Sequence, residues 1–360
     1  MVEAPASLRM SRRDIHYWKC DRPAAFHGTA PRAGRTGELA GPLAAALREH
    51  LGVHRLSLQP GEGQGNHLTW RVDADGQRLF VRVEDGPEGD GHLAVESEVL
   101  ARVRAAGVPV PAVLGCDASR TRVAFAWQAL ECIEAPDLNH WHRRGELQVE
   151  PVARAIGAAV AQWQAVQPAG FGVLDAGLVG LRPSYADYFL LRLDAHLGFL
   201  QDRGFLIPRQ AREIEAAIAA AAGLLELPQG CLVHKDLALW NILGVPDRIE
   251  AFIDFDDAIS GDPMDDLSLL ACFHNAAFVR AAFAGYASVR PLPADALPRF
   301  WLHLLRNMVV KAVIRVGAGY FERDDGFFLG GGAALRRATR QRLALALRGL
   351  HTDADLSLLP

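Results

Sequence analysis

The sequence predicts an α+β chain in two lobes, a small β-rich lobe followed by a larger, mostly helical one. Three observations carry this. Strand-like runs are concentrated before residue 131. Helical periodicity dominates after about residue 136. A short set of strand-like runs around Leu232, Ile242 and Phe252 then interrupts the helical half and carries a cluster of carboxylates. At 360 residues the chain is long enough for two lobes with real cores. The expected division is an extension over residues 1–36, a first lobe over 37–131 and a helical lobe over 132–360.

The extension is rich in Arg, Pro and Gly without periodicity, which predicts a partly ordered segment. "GELAGPLAAALREHLG" (37–52) places apolar residues at three- and four-residue steps and predicts a helix. "HRLSL", "HLTWRVDA" and "QRLFVRVE" follow as strands, with Asp75-Gly76 as a hairpin turn between the last two. "LAVESEVLARVRAAG" (93–107) is an amphipathic helix, and "VPVPAVLGCD" and "RTRVAFAWQALE" are two further strands. Beyond the connector near residue 131, helices are expected at 149–166, 183–203, 208–226, 264–285, 292–317 and 333–349.

Composition excludes several classes. Half the residues are apolar and 22% are charged, an ordinary globular balance, and a net charge of -4 gives no reason to expect nucleic acid as a partner. Five scattered cysteines without CxxC spacing read as a reduced, cytoplasmic chain, not a disulfide framework or a zinc site. No apolar run reaches the roughly 18 residues of a membrane span, and the first twenty residues lack the apolar core of a signal peptide. Monomer and homodimer both stay open.

The chemistry is concentrated in "LVHKDLALWNILGVPDRIEAFIDFDD" (232–257). Asp236 and Asn241 stand five apart on one loop, and Asp254 follows on a second, after a strand-like run. One carboxylate and one amide from two neighbouring loops suit a magnesium ion. Such an ion takes few protein oxygens and leaves the rest of its shell to water and nucleotide phosphates. Asn241 and Asp254 fit that role, which frees Asp236 to orient an attacking hydroxyl.

"HKDLALWN" followed by "IDFDDAISGDPMDDL" resembles the aminoglycoside phosphotransferase and choline kinase group of protein-kinase-like small-molecule kinases, whose pattern is HGDLxxxN and then IDFxDAxxGDPxxDL. The resemblance spans roughly residues 55–275 and implies a protein-kinase-like two-lobe fold, with ATP or GTP as co-substrate and Mg2+ as cofactor. It places Asp236 at the substrate hydroxyl, Asn241 and Asp254 on magnesium, and His234 as a brace of the loop. Asp256 becomes a candidate for a water-mediated contact to the metal, and Asp266 for an anchor of the loop backbone. Upstream, "GEGQGN" supplies Gly63, Gly65 and Asn66 as a phosphate-covering turn. Arg82 stands where protein kinases have lysine, a place where a fixed guanidinium can fork onto phosphate oxygens. Glu96, ahead of Glu98, is the expected partner of Arg82. The segment "WQALECIEAPDL" resembles the hinge that binds adenine through its backbone, with Glu131 and Ile133 among the positions of interest. Lys235 departs from the family's glycine and is open between contact with phosphate or an anionic substrate and exposure to solvent.

Few residues separate Asp254 from "GDPMDD", which leaves no room for a protein-kinase activation segment. A small hydroxylated acceptor is therefore expected. Basic residues outnumber acidic ones beyond Met264, which favours a neutral or weakly charged antibiotic-like acceptor over a polycationic aminoglycoside. Trp141, Trp163, Tyr185, Tyr188, Phe273, Trp301 and Tyr320 are candidates either for such a pocket or for the core. A metabolite kinase of choline or sugar type is the alternative, and a nucleotide-binding pseudokinase a more distant one.

Overall fold

A computed structural model of the chain describes residues 11–21, 33–61, 67–86, 89–323, 331–352 and 354–360. It begins with a short helix α1 (Trp18–Asp21) and continues with α2 (Ala33–Leu51), β1 (Leu56–Pro60), β2 (Leu68–Ala74), β3 (Gln77–Glu84), α3 (His92–Ala105), β4 (Val113–Asp117) and β5 (Ala126–Glu131). The five strands form one antiparallel sheet in the order β1-β2-β3-β5-β4. Asp75 and Gly76 both take positive φ (52° and 91°), so the β2–β3 hairpin turns in the sense that matches the twist of its strands. Strand alternation then sorts the faces. Trp70, Val72, Leu79, Val81 and Val83 bury against Leu39, Leu43 and Leu47 of α2, while Arg82 points the other way, towards α3.

The helical half contains α4 (Leu138–Arg143), α5 (Val149–Trp163), α6 (Tyr185–Phe189), α7 (Leu193–Asp202), α8 (Pro208–Ala220), α9 (Asp265–Leu270), α10 (Ala276–Ala287), α11 (Ala296–Gly317) and α12 (Gly332–Thr352). Between them lie β6 (Phe171–Leu174), β7 (Gly180–Arg182), β8 (Cys231–Val233), β9 (Ile242–Val245), β10 (Arg248–Phe252) and β11 (Ile259–Gly261). These pair as a four-stranded sheet β7-β6-β11-β8 and a hairpin β9–β10. The strand ends around Val233, Ile242 and Phe252 present the two carboxylate loops. Helix α11 runs through the centre of this lobe and is buried on most of its surface. Val95, Val99, Leu100 and Val103 of α3 join the same core, so α3 ties the small sheet to the helical lobe.

Two expected helices are broken. The 183–203 run divides into α6 and α7 at Arg192, which takes φ 61°. The 264–285 run divides at Asn275, whose side chain caps α10 by accepting the Phe278 N–H at 3.0 Å. Part of the expected extension has a defined place. Residues 11–21 are packed against the helical lobe, with Ile15, His16 and Tyr17 buried. Tyr188 Oη donates to the His16 carbonyl at 3.0 Å, and the Asp21 carboxylate accepts the backbone N–H groups of His16 and Tyr17 at 2.7 and 3.1 Å.

Candidate active site

The first loop leaves β8 at His234 and is held by its backbone. The buried Asp266 carboxylate accepts the N–H of His234 at 2.9 Å, the N–H of Lys235 at 3.1 Å and the indole N–H of Trp163 at 3.2 Å. Burial pushes Asp266 up to about 6 even against these donors and His234. His234 packs on Phe255 with tilted rings, centroids 4.2 Å apart; its Nε2 lies 3.0 Å from the Ile253 carbonyl, and its Nδ1 accepts the Asp236 N–H at 3.3 Å. The partners therefore assign the proton to Nε2, and the ring braces the two loops against each other. Asn241 Nδ2 donates to the Asp236 carbonyl at 2.8 Å, which pins the other end of the loop.

The second loop turns at Asp254 in a left-handed conformation, φ 70° and ψ 49°. The Phe255 N–H donates to Glu96 Oε1 at 3.1 Å, so α3 reads the backbone of this loop directly. Arg82 Nη1 donates to Glu96 Oε2 at 2.5 Å, while Nη2 reaches Asp254 Oδ1 at 2.9 Å and Asp256 Oδ2 at 3.1 Å. Asp256 also holds His67 Nε2 at 2.9 Å. Burial would raise the Asp256 pKa, but His67 and Arg82 outweigh it and hold the group below the usual carboxylate range. Glu98, two residues beyond Glu96, faces outwards and pairs with Arg102 at 2.8 Å.

Asp236 lies between these loops with both carboxylate oxygens engaged. Lys311 Nζ, from α11, is 2.9 Å from Oδ1, and Lys19 Nζ, from α1, is 3.2 Å from Oδ2. Burial acts to raise the Asp236 pKa, but the two ammonium groups more than offset it and hold the group well below the ordinary range. Trp18 Nε1 donates to Asp257 Oδ2 at 3.1 Å beside them. Neither lysine carried a sequence signal by periodicity or motif. The signal that could have found them is rarity: Lys19, Lys235 and Lys311 are the only lysines among 38 basic residues.

Lys235 and most of the candidate aromatics lie away from the open site. Lys235 meets neither solvent nor the open site. It is buried at φ 71°, with Nζ 2.8 Å from Asp265 Oδ2 and 3.1 Å from Asn307 Oδ1, because its backbone turn aims the side chain beneath the loop. Glu131 spends its side chain on the fold, accepting the Ala112 N–H at 3.1 Å, while its own N–H donates to the Ala112 carbonyl. Ile133 follows, half-buried, where the chain has left the sheet. Gly63, Gly65 and Asn66 lie outside the described residues. Of the seven candidate pocket aromatics, Trp163, Tyr185, Tyr188 and Trp301 belong to the core. Phe273 instead faces the site, 5.5 Å from Lys311 Nζ.

Asn241 and Asp254 also fit a cation. The Asn241 amide nitrogen is committed to Asp236, which leaves its oxygen free to act as a ligand, and Asp254 uses one carboxylate oxygen on Arg82 and keeps the other. No group of three His, Cys, Asp or Glu side chains among the described residues could hold a metal ion.

A five-stranded lobe carrying an Arg–Glu pair, facing a helical lobe whose two loops carry Asp, Asn and Asp, defines a kinase-like phosphotransferase, which moves a phosphoryl group onto a hydroxyl. The chain belongs to the phosphotransferase enzyme family (APH), whose model matches residues 57–299. Similar folds are found in aminoglycoside phosphotransferase APH(4)-Ia, with a TM-score of 0.61 at 18% identity over 86% of this chain and 98% of that one. Macrolide 2'-phosphotransferase MphH from Brachybacterium faecium gives 0.54 at 21% identity over 84% and 97%. A protein provisionally assigned as a fructosamine-3-kinase from Haemophilus somnus 129PT gives 0.57 at 16% identity over 84% and 96%. No curated protein is matched by sequence comparison. No described helix is long and apolar enough to cross a membrane.

Proposed function

We propose that the chain transfers the γ-phosphoryl group of ATP or GTP to a hydroxyl of a small antibiotic-like acceptor and so inactivates it. The observation that carries this reading is that the Asp236–Asn241 pair and the Arg82–Glu96–Asp254 group lie on two loops joined by the Ile253 N–H donating to the Asn241 carbonyl at 3.0 Å. Asp236 is the group that orients the acceptor hydroxyl. A carboxylate held well below the usual range is a weak base, so its work is alignment of the nucleophile, with the proton leaving late. Arg82, pinned by Glu96, is placed to turn from Asp254 and Asp256 onto nucleotide phosphates. Asn241 and Asp254 would hold Mg2+, which when bound neutralises phosphate charge. Backbone groups near Cys132 and Ile133 are the proposed adenine contacts, and the segment holding Gly63, Gly65 and Asn66 the phosphate cover.

Ternary complexes of the APH(4)-Ia relative with hygromycin B and AMP-PNP or ADP support a nucleotide and a small acceptor here. The two ammonium groups at Asp236 disfavour an acceptor that presents its own ammonium beside the hydroxyl. A metabolite kinase is the second reading, favoured by the likeness to the fructosamine-kinase fold. Mass spectrometry of aminoglycosides, nucleoside antibiotics, macrolides, choline and sugars incubated with protein, Mg2+ and ATP or GTP separates the two. A gain of one phosphoryl group on an antibiotic is the expected result. A gain confined to choline or a sugar would replace this reading by the second.

A further inference from the structure

The chain has 38 basic residues, of which three are lysines, and all three gather at the catalytic loop. Lys235 lies beneath it on Asp265 and Asn307. Lys19 and Lys311 take one oxygen each of Asp236. Both of these lie outside residues 57–299, the span this chain shares with its family model. They lie on either side of that span in the sequence and meet at one aromatic ring, each ammonium 5.7 Å from the centre of the Tyr17 ring. Their settings differ. Lys311 sits on the buried α11, with its side chain 10% exposed, whereas Lys19 sits on the one-turn α1 and is 31% exposed.

We infer that Lys19 and Lys311 are working parts of the phosphoryl-transfer site: Lys311 fixes the Asp236 carboxylate through Oδ1, and Lys19 yields Oδ2 to the acceptor and carries its ammonium to the phosphoryl group in transfer. This rests on the phosphotransferase reading above. Oδ1 is held by a lysine rooted in the core, whereas Oδ2 is shared by Lys19 at 3.2 Å and the Asn241 amide at 3.4 Å, so a shift of Lys19 opens Oδ2 to an acceptor oxygen. Lys19 is the cation free to move, and a compact ammonium on a four-carbon stem can pass between a carboxylate and a phosphate oxygen, which a planar guanidinium does less readily. In a chain that uses arginine at nearly every other basic position, lysine at these two sites follows from that need. Charge spreads over the peripheral oxygens of the phosphoryl group as it transfers, so a cation at that point stabilises the transition state more than the ground state.

Water can serve as the acceptor in the test, so no substrate need be known. The water oxygen forms the bond to the γ-phosphorus, the bond to the β-phosphate oxygen breaks, and the proton leaves by Asp236 to solvent, giving nucleoside diphosphate and inorganic phosphate. Lys19→Met, Lys19→Ala and Lys311→Met are compared with the intact chain for ATP affinity and for acceptor-independent hydrolysis with Mg2+. The expected result is affinity kept within about threefold and hydrolysis lowered by about tenfold or more, in the range of one lost transition-state contact. Ethylammonium added to Lys19→Ala should restore part of the rate, which a purely structural role would not allow. Lys19 and Lys311 variants that hydrolyse ATP at the wild-type rate, or faster, would overturn the inference. Loss of the phosphotransferase reading itself looks different: the intact chain would fail to bind Mg-ATP, or Asp236→Asn would hydrolyse it as fast as the intact chain.

Discussion

Asp266 shows how single side chains set the site. Its carboxylate accepts from His234, Lys235 and Trp163 at once and lies in the core, so it orders the loop through three buried donors. Asp266→Ala should cost about 3 kcal/mol, the scale of several lost hydrogen bonds to a charged acceptor, read as a lower midpoint in urea unfolding. His274 gives a second residue-level expectation. It stacks on Phe278 with centroids 3.9 Å apart, and burial pushes it down to about 3. The unfolded chain binds a proton there below about pH 6.5 and the folded chain does not, so stability falls as pH drops from about 6.5 towards the folded value. The stability difference between the intact chain and His274→Phe should therefore shift by about 2 kcal/mol in favour of the variant between pH 8 and pH 5. A constant difference across that range would contradict it. At this scale much of the site was legible, because Asp236, Asn241 and Asp254 sit at spacings that the chemistry constrains. Lys235 was not, since its buried course depends on a positive φ and on Asp265, neither of which leaves a periodic trace.

Helices α5 and α10 cross so closely that each places a glycine against the other's backbone. A Cβ on Gly157 would overlap the Ala282 carbonyl, and one on Gly285 the Arg154 carbonyl. Small residues allow this approach, and neither backbone has a flexible side chain to yield. Gly157→Ala should therefore destabilise by about 2–3 kcal/mol despite its better helix propensity, as measured by denaturant unfolding. An unchanged or raised midpoint would show that the helices can separate at little cost. Apolar periodicity located both helices but carried no information on which faces meet. The breaks at Arg192 and Asn275 were likewise hidden, because the apolar pattern runs on through both positions.

Over the whole molecule, residues on both sides of the family-shared span close on the catalytic loop. The N-terminal segment is held there by Asp21, which joins the backbone of His16 and Tyr17 to His196 Nε2 at 2.8 Å, while His196 Nδ1 faces Arg306 at 3.0 Å. Asp21→Ala should release the segment, with hydrogen exchange over residues 15–21 accelerating while the sheet of the small lobe stays protected. Equal protection in the variant would mean that apolar burial of Ile15 and Tyr17 holds the segment unaided. Nothing in the composition of residues 1–36 marked this anchorage, since it is made of long-range contacts. The two-lobe order itself was legible from the change in periodicity. The central claim is that Asp236 directs phosphoryl transfer from a nucleotide held by Arg82, Asn241 and Asp254. The measurement that tests it most directly follows labelled γ-phosphate from ATP, with Mg2+, in the intact chain and in Asp236→Ala, beside nucleotide affinity in both. The expected result is transfer to an acceptor or to water by the intact chain and its loss in the variant, with the nucleotide still bound. Equal transfer by both proteins would contradict it.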